Sequence, residues 1–141
     1  MRFLLDTNVV SELAKPQPNM SVVRWLHDAD EDDLFISVIT LAELRIGVHR
    51  LAASARRERL EAWVREQLAE RFESRILVVD EEIAEMWGQL MATSEARGRR
   101  MNVMDCFLAA TAVVHQVTLV TRNVDDFSGF GGALLDPWTP A

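Results

Sequence analysis

Three acidic residues stand in apolar sequence, where a charge needs a reason. Asp6 follows Phe3-Leu4-Leu5, Glu43 lies in Ile39-Thr-Leu-Ala-Glu-Leu44, and Asp105 lies in Val103-Met-Asp-Cys-Phe-Leu108. A carboxylate beside a core segment is costly unless hydrogen bonds or a cation compensate it. Each acid alone has a local explanation. Asp6 can N-cap the following helix. Thr40-x-x-Glu43 has the pattern of a capping box, and Asn102-x-x-Asp105 is a variant of it. Capping acids usually have polar neighbours, however, and these do not. Like charges gathered in a low-dielectric site repel one another, and a divalent cation removes that cost. Hard carboxylate oxygens, without cysteine pairs or paired histidines, suit Mg²⁺ or Mn²⁺. A fourth stretch, Leu119-Val-Thr-Arg-Asn-Val-Asp-Asp-Phe127, sets Thr121, Asn123, Asp125 and Asp126 in a row. It reads either as an Asx-rich turn or as hydroxyl, amide and carboxylate oxygens that complete a metal shell.

The elements that must position these residues alternate between short apolar runs and helical patterns. Phe3–Leu5, Leu34–Ile36, Arg75–Val79, Val117–Val120 and Ala133–Leu135 read as strands. Helical patterns cover 8–15, stopped by Pro16 and Pro18, and 21–28. A long stretch runs from 41 to about 72, with a start near Thr40 and a bend at 54–59. Further helices cover 80–97 and 103–115, the last apolar on most sides. Strands alternating with helices predict an α/β fold, with a parallel sheet of four to five strands and helices on both faces. Ligands of such sheets sit outside the carboxyl ends of the strands. Asp6 and the Thr121-Arg122-Asn123 stretch both fall there.

Bulk properties narrow the classes. A chain of 141 residues, 49% hydrophobic and 26% charged, suits one domain spanning 1–141 without staples. The single cysteine, Cys106, excludes an internal disulfide and a thiolate cluster. No segment approaches the ~20 apolar residues of a membrane span, and Asp6 interrupts the N-terminal apolar run; the expectation is a cytoplasmic protein with no membrane partner. A net charge of −7 speaks against broad nucleic-acid binding. It allows a metal-dependent enzyme, in which the ion reverses the local sign. The positive charge is arginine except for Lys15.

Four blocks in this order carry a resemblance: Phe3-Leu-Leu-Asp-Thr-Asn8, Ser37-Val-Ile-Thr-Leu-Ala-Glu-Leu44, Val103-Met-Asp-Cys-Phe-Leu-Ala-Ala-Thr111 and the 119–127 stretch. Together they resemble a PIN-domain protein, specifically a VapC-type toxin ribonuclease of the FitB-like group. The resemblance implies a PIN fold and RNA cleavage with Mg²⁺ (Mn²⁺ also suits). It implies a homodimer or toxin–antitoxin hetero-oligomer, and neutralisation by a cognate antitoxin. The family's first three acids fall on Asp6, Glu43 and Asp105, which would hold the metal. Many relatives carry an aspartate two positions after the threonine, where Asn123 stands here. Asp126, before Phe127, is the nearest carboxylate that matches the subgroup, with Asp125 beside it. Thr7, Asn8 and Thr121 would supply hydrogen bonds behind the ligands. Arg45, Arg97, Arg99 and Arg100 are the candidates for RNA contact; solvated helix ends are the other reading of them.

Other readings stay in view. A haloacid-dehalogenase-like phosphatase needs a second acid two positions after the first, where Asn8 stands, and a lysine that only Lys15 could supply. A receiver domain meets the same shortage. A catalytically weak PIN fold that binds only an antitoxin or RNA is the non-enzymatic alternative. His27, His49 and His115 have no ligand spacing. Trp25, Trp63, Trp87 and Trp138 read as core or interface residues, and Gly129–Gly132 as a turn.

Overall fold

The computed structural model describes residues 1–140. Its centre is a five-stranded, wholly parallel sheet: β1 (Phe3–Leu5), β2 (Leu34–Ser37), β3 (Ile76–Leu77), β4 (Thr118–Val120) and β5 (Leu134–Leu135), in the order β3-β2-β1-β4-β5. The middle strand pairs on both sides, Leu4 with Phe35 and with Leu119. Successive side chains of a strand face opposite ways. Leu4 and Leu5, both fully buried, therefore seed two different cores.

One core gathers Leu5, Val9, Val10, Val22, Leu26, Leu34, Ile36, Leu68, Phe72 and Val120. It lies under α1 (Thr7–Glu12), α2 (Met20–Asp28) and the helical run α4 (Ala55–Ala62), a π-helical stretch Trp63–Leu68 and α5 (Ala69–Arg71). The other core joins Leu4, Leu108, Ala109, Ala112, Leu119, Phe127 and Phe130. It lies under α6 (Glu81–Ala96) and α7 (Val103–His115). The helix α3 (Val38–Arg50) sends Leu41 and Leu44 to the first core and Ile39 to the second. A sheet covered on both faces explains why the strands read as short, continuous apolar runs.

Three sequence readings are corrected. The third helix starts at Val38, with the Ser37 hydroxyl accepting from the Ile39 amide at 3.0 Å. The capping-box reading of Thr40-x-x-Glu43 therefore fails: a serine three residues earlier satisfies the helix start, and the Glu43 side chain does not cap it. The break after α3 falls at 51–54, where Ser54 caps α4, and not across 54–59. The third strand is only two residues long, because it is an edge strand with one neighbour.

Candidate metal centre

The carboxylates converge at the carboxyl edge of the sheet, on either side of the central strand. Asp6 ends β1 and N-caps α1; its backbone amide donates to the Val120 carbonyl of β4 at 2.9 Å. That places it in the crevice where the chain leaves β1 in one direction and reaches β4 from the other, the usual position for a ligand in open sheets. Its side chain is 5% exposed. One oxygen accepts from the Thr7 amide at 2.7 Å, and the other from the Thr121 hydroxyl, also at 2.7 Å. The cap reading of Asp6 holds through Oδ1, while Oδ2 is bound by Thr121. The fully buried Thr121 Oγ1 also accepts from the Asn123 amide at 3.0 Å and from Asn8 Nδ2 at 3.4 Å. Asn8 Oδ1 in turn accepts from the Arg122 amide at 3.4 Å.

Glu43 comes in from α3, and Thr7 Oγ1 donates to its Oε1 at 2.6 Å. Thr40, buried within the same helix, sits 3.4 Å from the Thr7 hydroxyl. Asp105 is carried on the first turn of α7. Asn102 caps that helix, and its Oδ1 accepts from the Met104 and Asp105 amides at 2.9 and 3.2 Å. With the amides served by Asn102, the Asp105 carboxylate has no capping partner. Asp126 arrives on the 3₁₀ turn Val124–Phe127, which Phe127 anchors in the second core.

Electrostatics ties the four together. Burial pushes the Asp105 carboxyl up to about 6, helped by repulsion from Asp6, Glu43 and Asp126. Burial also raises Asp6, against the hydrogen bonds of Thr121 and Thr7, with Asp126 adding repulsion. Glu43 is raised by burial, against Thr7, with Asp6 adding repulsion. Asp126 is thus felt by both Asp6 and Asp105, whereas Asp125 is felt by neither. Asp125 and Asp126 both line a cavity of ≈690 Å³ beside Asp105. Among the described residues, no three acids are drawn around one point closely enough to hold an ion outright. The donor set nevertheless fits a hard divalent cation. It consists of carboxylate oxygens that repel one another, buried at Asp6, half-buried at Glu43 and Asp105 and exposed at Asp126, with the buried Cys106 thiol pointing at the Trp87 carbonyl, 3.6 Å away.

The arginines separate. Arg97, Arg99 and Arg100 are exposed and line the same cavity as Asp105 and Asp126. Arg97 Nη1 donates to the Gly129 carbonyl at 3.1 Å, tying the end of α6 to the loop that follows Asp126. Arg45 is half-buried on α3 and does not line that cavity. Of the tryptophans, Trp87 stacks on Phe107 and Trp25 meets Phe3 edge-on.

Compared with known proteins, the PIN domain model matches residues 3–132 of the chain. The chain belongs to the PIN-domain family. Among PIN relatives, the toxin FitB of Neisseria gonorrhoeae is 37% identical over 96% of this chain and 97% of its own. The VapC ribonuclease Y4jK of Sinorhizobium fredii is 37% identical over 98% and 99%. The crystal structure of FitAcB from Neisseria gonorrhoeae superposes with a TM-score of 0.90 at 37% identity, covering 96% of this chain and 98% of that one. The structure of FitAB bound to an IR36 DNA fragment superposes with a TM-score of 0.91 at 35% identity, covering 99% and 97%. The PIN fold expected from the four sequence blocks is therefore the fold of this chain.

Two contacts beside these acids escaped the sequence reading. Thr40 looked like a cap and instead lies beside the Thr7 hydroxyl. The backbone amide of Arg122 donates to Asn8, and no spacing rule marks that contact.

Proposed function

We propose that the chain is the ribonuclease toxin of a toxin–antitoxin pair, acting in the cytoplasm and hydrolysing RNA phosphodiester bonds with Mg²⁺ or Mn²⁺. The observation that carries this reading is the convergence of Asp6, Glu43, Asp105 and Asp126, each from a different element, into one mutually repelling cluster at the sheet edge. Asp6, Asp105 and Glu43 would hold the ion. When bound, it supplies Lewis acidity and a water of lowered pKa. Thr121 fixes one oxygen of Asp6, Thr7 orients Glu43, and Asn8 braces Thr121 from α1. Asp126, with Asn123 or Asp125 beside it, would accept a proton from water at the open rim. Arg97, Arg99 and Arg100 supply the positive charge that an acidic chain needs to hold phosphates. Arg45 is the weaker candidate, being outside the cavity.

The relatives support this reading by name: a toxin and several ribonucleases, with solved neighbours described as FitAB and VapBC assemblies. On the same basis the partner is a cognate antitoxin, and the likeness extends to assemblies with DNA. A homodimer built on the helices of 41–72 belongs to the same proposal; light scattering of the chain alone tests it.

The deciding experiment maps RNA cleavage sites by the wild type and by Asp6→Ala and Asp105→Asn. The expected result is cleavage by the wild type with Mg²⁺, none with chelator, and none by either variant. Normal cleavage by Asp105→Asn would reduce that acid to a structural residue. Binding of RNA without cleavage, under any divalent ion, would favour the non-enzymatic alternative.

A further inference from the structure

The basic cavity beside Asp105 lies on one face of the sheet, over the second core, where Leu90 and Met101 pack. A second cation stands on the opposite side of Asp6. Arg122 follows Thr121, whose hydroxyl bonds Asp6, and its own amide bonds Asn8. Its guanidinium lies over the Trp138 ring, 5.3 Å from the ring centroid. Trp138 is partly buried against the first core, so the platform is fixed to the sheet. A guanidinium stacked on an aromatic face keeps its in-plane N–H groups free for other partners.

No neighbour uses those groups. Among the described residues, the Arg122 side chain makes no hydrogen bond and no salt bridge. Glu12, on which the Arg122 charge acts, is already committed by hydrogen bonds: its oxygens accept from Lys15 Nζ at 2.8 Å and the Asn19 amide at 2.9 Å. The Asp6 oxygens are held by Thr7 and Thr121. An exposed arginine, set over Trp138 and without a hydrogen-bonded partner among the described residues, thus stands one residue from the site, in a chain of net charge −7.

We infer that Arg122, set over the Trp138 ring, binds a backbone phosphate of the RNA strand on the α1 side of the carboxylates. The strand crosses the sheet edge from the Arg97–Arg100 flank to the Arg122 flank, with the scissile phosphate over the acids between them. This rests on the reading of the chain as a ribonuclease. The arginine fork matches phosphate geometry and takes two oxygens at once.

The test measures binding of an end-labelled pool of random-sequence single-stranded RNA to the Asp105→Asn chain in Mg²⁺, across a salt series. Cleavage of the same pool by the wild type is followed in parallel. Arg122→Gln in the Asp105→Asn background is expected to weaken binding by about tenfold at low salt and to reduce the slope of log affinity against log salt by about 0.7, one phosphate's worth. Arg122→Lys keeps the charge and is expected to keep the slope while losing part of the affinity. An unchanged slope for Arg122→Gln, with a lowered unfolding midpoint, overturns the inference and leaves Arg122 as a clamp on the C-terminal segment. Absence of RNA binding by the Asp105→Asn chain overturns it together with the ribonuclease reading. A pool that is bound but never cut by the wild type overturns only the latter, and Arg122 is then judged by the slope.

Discussion

At the scale of single residues, the site is a set of acids whose charges cost stability until something neutralises them. The folded state raises Asp105, Asp6 and Glu43 above their ordinary values. A raised carboxyl binds its proton more tightly folded than unfolded, so its contribution to stability is present at low pH and is lost as pH rises through the folded value. For Asp105 that window runs from its ordinary 3.8 to about 6. The metal-free protein should therefore unfold at a higher temperature near pH 5 than at pH 7, as calorimetry in chelator would measure. A flat or reversed trend across that window would mean the acids are not coupled. Asp105→Asn removes a repelling charge of the same shape. At pH 7 without metal its unfolding midpoint should equal or exceed the wild type's, while RNA cleavage falls by at least about a hundredfold, the order seen when an oriented ligand or its support is lost. Thr121→Val keeps the shape and deletes the bond to the Asp6 oxygen. Cleavage should drop and weak Mg²⁺ affinity should appear as a higher metal concentration at half-maximal rate; Thr121→Ser should restore both.

At the scale of elements, each acid rides on a local device that would exist without any chemistry. The junction of β1 and α1 presents Asp6, Ser37 starts the helix that carries Glu43, and Asn102 starts the helix that carries Asp105. The division of labour at α7 is the most telling: an asparagine does the capping, and the acid three residues on is free. Asn102→Ala should cost about 1 kcal/mol of stability, the usual value of such a cap, as denaturant titration would read. Because α7 is also buried along Leu108, Ala109 and Ala112, the helix should survive and cleavage should weaken without disappearing. Complete loss of helical signal over that segment would contradict this account. The capping-box pattern at Thr40 misled for a related reason. Ser37 offers the same device earlier, at the strand end, and a motif read from spacing alone does not say which of two competing caps the sheet will place at the turn.

At the scale of the whole molecule, a parallel sheet sandwiched between two cores brings together residues 120 positions apart. The charge of Asp126 acts on Asp6 because β4, which leads to the 3₁₀ turn of Asp126, pairs with β1. The arrangement also joins metal binding to folding, since an ion that binds only the native cluster stabilises it by mass action, by roughly 2.7 kcal/mol at a hundred times its dissociation constant. For a chain of this size each kcal/mol raises the unfolding midpoint by roughly 2–4 °C. Mn²⁺ at pH 7 should thus raise the midpoint by several degrees, and at pH 5 the effect should shrink as protons compete for the same oxygens. A shift independent of pH would point to binding elsewhere.

The sequence alone determined the strand–helix alternation, the two-sided burial of the sheet and the three acids in apolar settings. These are local facts: hydrophobic period, caps and the cost of a charge beside a core strand are all set by near neighbours in the chain. Distance in space is not local, and it decided the rest. Only the tertiary structure brought the 3₁₀ turn anchored by Phe127 close enough for the charge of Asp126 to act on Asp6 and Asp105. It likewise turned Glu43 from a cap into a partner of Thr7 and separated Arg45 from the cavity that Arg97, Arg99 and Arg100 share. It also seated Arg122 over Trp138, sixteen residues on, a pairing made by the tail that packs on the first core and invisible to any pattern of spacing.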